Sequence, residues 1–536
     1  MPKNLHLQTF TQSWQLARRQ KQHRLAQGRL TANEAASRLP DSGEMPLARL
    51  PVSHGATPTV YATAENRGHL LIVAPPGSLW REQLRLTLSH WPGAALVVDP
   101  DGQLYRQTAA FRQALYGVVY AHPGYRLRFN NLLRLWHEEV AFQLHQLLMP
   151  ELSQADSSSD ANHTATNRTV SLFCAIGFYS LAHKCNPFQL LLDVALTDML
   201  SALAALETVP QARLHVRHFS KGQPPQLAIY DEATVQAFSW FSHQLWRYQE
   251  AYATFALPPV SEGVVPEQWF REKKTLYLTY TTSQMAEMAG LVAAIVHSQL
   301  LAHQTFGGGR PLLLVLDAAL ANRLPHFTQF LTTASDYGIT VVLTAPSLTA
   351  LDALTPTGSG ETLAGQFGHQ LWYVPRDRET AVHISTRYGT SLDKSGELVP
   401  ALSAEEVLGW ADEALLLVTR QERPYVFLGQ PVKLPEDFPQ RQPPLLPTPG
   451  AKPRSYDKWL PLLPSFTMQI QAALIDKGAM ADPAEKDTAA AKKELGAGET
   501  AVLPEPVVPP ESRPEPPGEE DEASEKSLNI VRTKFR

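Results

Sequence analysis

The chain has 536 residues, 44% of them hydrophobic, with 47 Lys and Arg against 52 Asp and Glu and a formal net charge of −5. This length and apolar content allow about three domains with a sizeable core. The acidic balance excludes a protein that is basic throughout, so any nucleic-acid contact has to be a local patch or a channel. Cys174 and Cys185 have no CxxC spacing and are expected as reduced, buried packing residues. On that ground the Asn-x-Thr sequons at Asn162 and Asn167 carry no meaning. The N-terminus lacks the apolar stretch of a signal peptide, and no apolar run reaches the length of a transmembrane helix.

Residues 1–45 read as helical and polar. Leu7, Phe10 and Trp14 fall at helical spacing, followed by Arg18, Arg19, Lys21 and Arg24. A basic amphipathic helix can touch a membrane surface or nucleic acid. One short basic face is a weak signal, and a solvated helix packed on the next domain is the expectation.

Residues 46–165 open an α/β domain. An apolar run, Leu70–Ala74, leads into a Pro-Pro-Gly-Ser turn, a helical segment from Trp80 to about His90, and a second apolar run, Ala94–Val98, ending in Asp99-Pro100. Apolar strand, tight turn, amphipathic helix and apolar strand make the βαβ unit of a parallel sheet. A helical stretch, Gln103–Ala114, and a third strand, Gly117–Ala121, come next. Residues 132–150 read as a helix with Leu133, Trp136, Val140, Leu144 and Leu147 on one face. His137 and His145 sit on it near Glu138 and Glu139 without a Glu-x-x-His pattern, which favours a solvated face over a metal helix. Residues 151–168 are Ser/Asp/Asn/Thr-rich and read as a loop or disordered linker.

Beyond this point the periodicity is helical to residue 257, in runs Val170–Leu181, Phe188–Leu206 and Ala233–Phe255. An all-α domain is therefore drawn at 166–258, inserted between two parts of the α/β domain, the second at 259–430. In that part Thr275–Thr279, Pro311–Asp317, Ile339–Thr344, Leu371–Val374 and Leu415–Val418 read as strands, and Met285–His303 as a helix. Pro311–Asp317 is a continuous apolar run ending in an acid, as in a central parallel strand buried on both faces. Residues 431–536 are Pro-rich and acidic in places, with a short helix at Phe466–Ile475, and read as a largely disordered tail.

The turn after Leu70–Ala74 carries the chemical question. Backbone N–H groups and a helix N-terminus at such a turn point at an anion. A working P-loop adds Gly at the tight position, a Lys to reach the phosphates and a Ser/Thr to bind Mg²⁺. With Ala74 as the first position of that motif, Pro75, Pro76, Gly77 and Ser78 fill the loop, Leu79 stands at the second Gly, Trp80 at the Lys and Arg81 at the hydroxyl. The frame is present and its chemistry is missing.

The order of these segments resembles the TraG/TraD type of conjugative coupling protein, the hexameric motor-like ATPase of type IV secretion. HLLIVAPPGS at 69–78 is similar to the family's strand and Walker A entry, and WPGAALVVDPDGQLY at 91–105 to its "PGSVVVLDPKGELY". RFNNL at 128–132 resembles "RYNPL", and LLLVLDAALANRLPHFTQFLTTASDYGI at 312–339 resembles the Walker B segment together with the residues after it. WYVPRDRETAVHISTRYG at 372–389 is similar to the "NDxETAxxIS" strand and helix. The match runs over roughly 55–430, with a helical insertion at the same place.

The resemblance implies an α/β fold: a RecA-like P-loop domain on a central, mainly parallel sheet, interrupted by an all-α domain. It also implies hexamer assembly and recruitment of relaxase-bound single-stranded DNA and effector proteins to a secretion channel. Asp317 stands at the Walker B position and could hold a Mg²⁺-bound water, but Ala318 replaces the Glu that polarises the attacking water. Ser335 stands where the family has an Arg, and Pro346 where it has a Gln. Arg81 could still meet an anion at the helix start, while bulky Trp80 would occupy the phosphate cradle. Arg376, Arg378 and Arg387 either reach a neighbouring subunit's site or form surface ion pairs. Loss of the Lys, the hydroxyl and the Glu together removes most of the charge stabilisation phosphoryl transfer needs.

The leading expectation is therefore a coupling-protein-like component that has lost its ATPase, with no catalytic residue. It would act in assembly or recruitment beside type IV secretion or relaxosome proteins, in contact with single-stranded DNA and as a homo- or hetero-oligomer. ATP/Mg is the only cofactor candidate. The family's membrane anchor is missing, which places the chain in the cytoplasm or peripherally at the inner face of the plasma membrane. Two alternatives stay open: an active ATP-driven DNA translocase in which Arg81 supplies the cation and Asp317 the metal site, and a protein-binding module acting through the all-α domain.

Overall fold

The computed structural model describes residues 3–52, 57–65, 67–116, 118–121, 137–149, 160–183, 187–248, 270–280, 282–355, 359–411, 414–420 and 424–434. Cys185, the segments 128–136 and 151–159, and the tail from 435 onward lie outside them.

The chain opens with helices α1 (Lys3–Ala26) and α2 (Ala32–Arg38) and an antiparallel hairpin, β1 (Met45–Arg49) and β2 (Thr59–Ala62). Strand β3 (Leu70–Val73), helix α3 (Trp80–His90), strand β4 (Ala94–Pro100), helix α4 (Gln103–Leu115) and strand β5 (Val118–Ala121) succeed them. Next come α5 (Glu138–Leu148), α6 (Asp160–His183), α7 (Pro187–Leu196), α8 (Met199–Glu207), α9 (Pro210–Phe219), α10 (Pro225–Ala228) and α11 (Glu232–Trp246). The sheet resumes with β6 (Thr275–Tyr280), α12 (Thr282–Phe306), β7 (Leu312–Asp317), α13 (Ala318–Ala321), α14 (Phe327–Ala334) and β8 (Ile339–Ala345). After α15 (Leu348–Asp352), α16 (Gly360–Ala364), β9 (His369–Tyr373) and α17 (Arg378–Tyr388) comes a small hairpin, β10 (Thr390–Leu392) and β11 (Leu398–Pro400). Helix α18 (Ala404–Leu408) and strands β12 (Leu415–Arg420) and β13 (Pro424–Gly429) complete the described chain.

Nine strands form one sheet in the order β13-β12-β9-β3-β8-β7-β4-β6-β5. Every pairing from β9 across to β5 is parallel. Strands β12 and β13 close the other edge in antiparallel register. The expected mixed α/β class with a mainly parallel sheet is thus observed. Strand residues alternate between two cores, as the period of two requires. Leu71, Val73, Leu96, Leu314 and Leu343 face one core; Leu70, Ile72, Val97, Leu313 and Val342 face the other. Helices α12 and α14 and the helical insertion cover the first face, and α2, α3, α4 and the β1–β2 hairpin cover the second.

One buried cation ties the second face together. Arg112 on α4 is fully buried. It donates to Trp91 O (2.6 Å), Gly93 O (2.7 Å), Leu88 O (3.2 Å), Lys273 O (3.3 Å) and Thr275 Oγ1 (2.6 Å). Four of these acceptors are carbonyls at the end of α3 and at the entries of β4 and β6, groups that parallel strands and helix ends leave without partners, and the fifth is the Thr275 hydroxyl. At the other end of the layer, α1 turns into α2 at Gly28, whose φ is +71° and where a Cβ would lie 2.3 Å from Pro424 O. Helix α1 is held by the Arg24–Glu34 ion pair and by Gln20 Nε2 donating to Leu392 O (2.7 Å). It packs on the rest of the fold, in line with the blander expectation for the basic helix.

Several local expectations are corrected. Residues 160–168 belong to helix α6 and are not part of a linker. The run Phe188–Leu206 is two helices, because Asp198 caps α8 by accepting from Ser201 N (2.9 Å). His145 is not on a solvated face: it is fully buried, and its Nε2 meets Thr169 Oγ1 at 2.8 Å. Thr169 gives its own proton to Thr166 O, so the imidazole donates and stays neutral, with burial pushing its pKa down to about 3. The two hairpins and β13 are additions to the expected elements. Cys174 is buried as expected, and burial pushes its thiol up to about 12.

Two outcomes are expected from these buried groups. Arg112→Ala leaves several buried carbonyls without a donor and should cost about 3 kcal/mol or more, read from chemical denaturation. His145 and His297, the latter held down to about 4 by burial, bind protons only when unfolded between those values and the ordinary histidine pKa. The unfolded state then carries the extra proton, so stability falls on acidification below about pH 6.5, by about 1.4 kcal/mol per pH unit for each group. In His145→Gln the acid limb of the stability–pH curve should be shallower.

Candidate functional site at the strand ends

Parallel strands put all their C-terminal ends on one edge, and ligands of open α/β sheets bind in the crevice there. In this chain the ends of β3, β4, β7 and β8 surround a cavity of about 260 Å³. The loop after β3 forms one wall. Ala74 N–H donates to Ala345 O (2.9 Å), carrying the β3–β8 ladder one residue further. Gly77 takes φ +93°, and Ser78 folds back, its N–H and Oγ both donating to Pro75 O at 3.2 and 2.8 Å. Pro75 and Pro76 have no N–H to offer. Three loop positions that could have donated to an anion are therefore prolines or turned inward.

Leu79 sits at the N-cap of α3 with no side-chain cap bond, and Trp80 is the first helical residue. The Trp80 ring packs against the second core and lines the cavity without filling it. Its face is covered by Arg81, whose Cζ lies 4.8 Å from the ring centroid, a cation–π stack. The expectation that Trp80 occupies the cradle is thereby refined: it forms a wall and holds the neighbouring cation. A second cation arrives from the loop after β9, where Arg376 Nη2 lies 3.6 Å from the position of a Cβ on Gly77. Arg378 instead makes an exposed pair with Glu405 at 3.8 Å. Arg387 has a buried Nε without a partner.

The opposite wall is acidic. Asp317 ends β7 and caps α13, its Oδ1 accepting from Leu320 N at 2.8 Å; burial raises its pKa. Asp99, 3% exposed, ends β4 and caps α4 by accepting from Leu104 N (3.1 Å) and Tyr105 N (2.7 Å). Burial pushes it up to about 6 against the pull of those N–H groups and of Arg106 and Arg81. Thr344 and Pro346 complete the polar rim at the end of β8. Ala318 is buried at the start of α13. Ser335 lies in the turn before β8, on the edge opposite the cavity.

Asp99 is a site residue that the motif reading did not single out, and Arg376, expected at a neighbouring subunit's site or in a surface ion pair, lies instead beside the loop of its own chain. Asp99 carried the same signal as Asp317, an acid closing an apolar strand. Arg376 had no local signal, since only the adjacency of β9 and β3 brings it to the loop. Among the described residues no group of three or more His, Cys, Asp or Glu could hold a metal ion. The residues present do not fit a magnesium nucleotide. The lysine and the hydroxyl are absent and loop donors are lost, which leaves Asp317 as the one residue at a magnesium-binding position.

Residues 255–394 match the family model described as the type IV secretion-system coupling protein DNA-binding domain. No curated protein sequence matches the chain significantly. Among solved structures, the plasmid coupling protein TrwB in complex with ADP and Mg²⁺ is similar at 15% identity and a TM-score of 0.56, over 77% of this chain and 95% of that one. The bacterial conjugative coupling protein TrwBdeltaN70 in its unbound form gives 14% identity and a TM-score of 0.56, over 75% and 92%. TrwB with the ATP analogue ADPNP gives 13% identity and a TM-score of 0.55, over 78% and 96%. The fold is thus shared with these coupling-protein structures, and residues 255–394 match the coupling-protein DNA-binding domain model.

Proposed function

We propose that the chain is a coupling-protein-like component of a conjugative DNA transfer or type IV secretion system, and that it works as a non-hydrolysing scaffold. In this role it presents single-stranded DNA and protein cargo to the secretion machinery, as one subunit of an oligomer beside an active ATPase. One observation carries the loss of hydrolysis. The strand-end cavity has Trp80 and Arg81 stacked at the Lys and hydroxyl positions and two buried carboxylates, Asp99 and Asp317, facing them. Phosphoryl transfer is positioning plus stabilisation of negative charge, and this lining has neither the lysine nor the free loop N–H groups that would supply it.

Recruitment is supported by the helical insertion, which leaves large apolar side chains in solvent. Tyr230 is 82% exposed, and Leu214, Leu227 and Trp246 are each more than half exposed. Exposed apolar groups of that size mark contact surfaces when they share a face. No helix among the described residues is long and apolar enough to cross a membrane, so we place the chain on the cytoplasmic side, in peripheral contact with the membrane through its partners.

The test is calorimetry of Mg-ATP on the purified chain, with and without single-stranded DNA, and then a phosphate-release assay. No saturable binding is expected up to about millimolar ATP, the level at which binding is worth only about 4 kcal/mol. Turnover that Asp317→Ala abolishes would overturn the non-hydrolysing assignment and establish a translocase with Arg81 in the cationic role.

A further inference from the structure

A second cavity, of about 250 Å³, lies where α12 and α5 meet the turn into α14, and it shares no residue with the strand-end site. Its lining contains no Lys, Arg, Asp or Glu. The polar equipment is amide and imidazole, from Gln143, Gln304, Gln329, His297 and His326, with one hydroxyl, Thr333, which donates to Phe330 O. An aromatic wall is supplied by Phe327 and Phe330, whose ring centroids are 6.3 Å apart.

Two of these groups are held in a defined state. His297 Nε2 meets Gln143 Oε1 at 2.8 Å, and Gln143 Nε2 donates to Glu139 at 3.4 Å. A carbonyl oxygen only accepts, so the imidazole carries its proton on Nε2 and keeps Nδ1 as an acceptor. His326 has left-handed backbone, φ +51° and ψ 36°, at the N-cap of α14, and its side chain makes no capping bond. A side chain there is strained, and glycine would relieve the strain. Strain of this kind persists at sites where a side chain is needed. Here it keeps an exposed imidazole on the rim of the cavity.

A ligand that suits this lining is uncharged, carries donors and acceptors around its edge, and has apolar faces. We infer that the cavity takes one heteroaromatic base, supplied either by a single-stranded nucleic acid or as a free nucleoside. Amides and imidazoles read base edges, and aromatic side chains take base faces. A lining without cations leaves the phosphates outside, where exposed Arg323 stands on the turn that carries His326. Gln143 belongs to α5 and the other groups to α12 and to the α14 turn, so an occupant bridges segments on either side of the helical insertion in the chain. The strand as a source rests on the single-stranded DNA role proposed above; the chemistry of the cavity does not.

The experiment titrates the full chain with the four deoxynucleosides and with indole, by ligand-observed NMR, and with a short fluorescent single-stranded oligonucleotide. Variants Gln304→Leu, Gln329→Leu and His326→Gly are run beside it. At least one deoxynucleoside should saturate, and each variant should weaken it about tenfold, the scale of one base-edge contact. His326→Gly should also melt higher than the parent, which separates loss of the ring from loss of the fold. Absence of nucleoside binding, or binding the variants leave unchanged, overturns the inference. So does saturation by indole alone, which would make the cavity an anchor for a protein side chain. Oligonucleotide binding that every variant retains removes the base site and leaves the DNA role standing. Nucleoside binding without oligonucleotide binding removes the DNA role and leaves a nucleoside site.

Discussion

Parallel strand pairing is the constraint on which the rest of this molecule depends. Once β9, β3, β8, β7, β4, β6 and β5 run in one direction, every connection has to return across a face. All strand exits then share an edge. Residues distant in sequence, from Ala74 and Asp99 to Asp317 and Pro346, come to surround one small space. The sheet is buried on both faces, so the strands are apolar runs and their polar ends stand out as Asp99 and Asp317. Arg112 secures the opposite edge, gathering the carbonyls from which β4 and β6 start.

Within that frame the strand-end site lacks the ready N–H donors of a phosphate cradle. Such a cradle depends on N–H groups and a lysine held ready before the ligand arrives. Here proline removes N–H groups, Ser78 turns its own inward, and the cation nearest the helix start lies on an indole ring. Burial acts on the two carboxylates in the same direction, favouring their neutral forms, and capping of α4 and α13 offsets part of that cost. The carboxylates thus have structural work as helix caps that is independent of any metal. This accounts for the acids at the ends of β4 and β7 without calling on a metal.

The second cavity sits in a different physical regime. It has no fixed charge in its lining, one imidazole with a defined tautomer and one strained backbone position.

The chain's own order of residues determined much of this. Apolar runs bounded by Gly and Pro located the strands β3, β4, β7 and β8, because strands buried on both faces need unbroken apolar side chains. The loop positions from Ala74 to Arg81 raised the expectation of missing phosphate chemistry, because those contacts require particular residue types at fixed spacing. Hairpins at the margins were not legible, since β1, β2, β10 and β11 are short and take their stability from packing on α1, α3 and β13. His145 read as a surface residue because local periodicity does not record which helix packs over it; only α6, with Thr169, buries it. The approach of Arg376 to Gly77 and the His297–Gln143 pair were likewise not legible, being joined across 299 and 154 residues of chain respectively by strand order and helix packing. Sequence fixes what is local in the chain, period and residue type; proximity between distant segments belongs to the tertiary fold, because it exists only once the sheet has set the order of its strands.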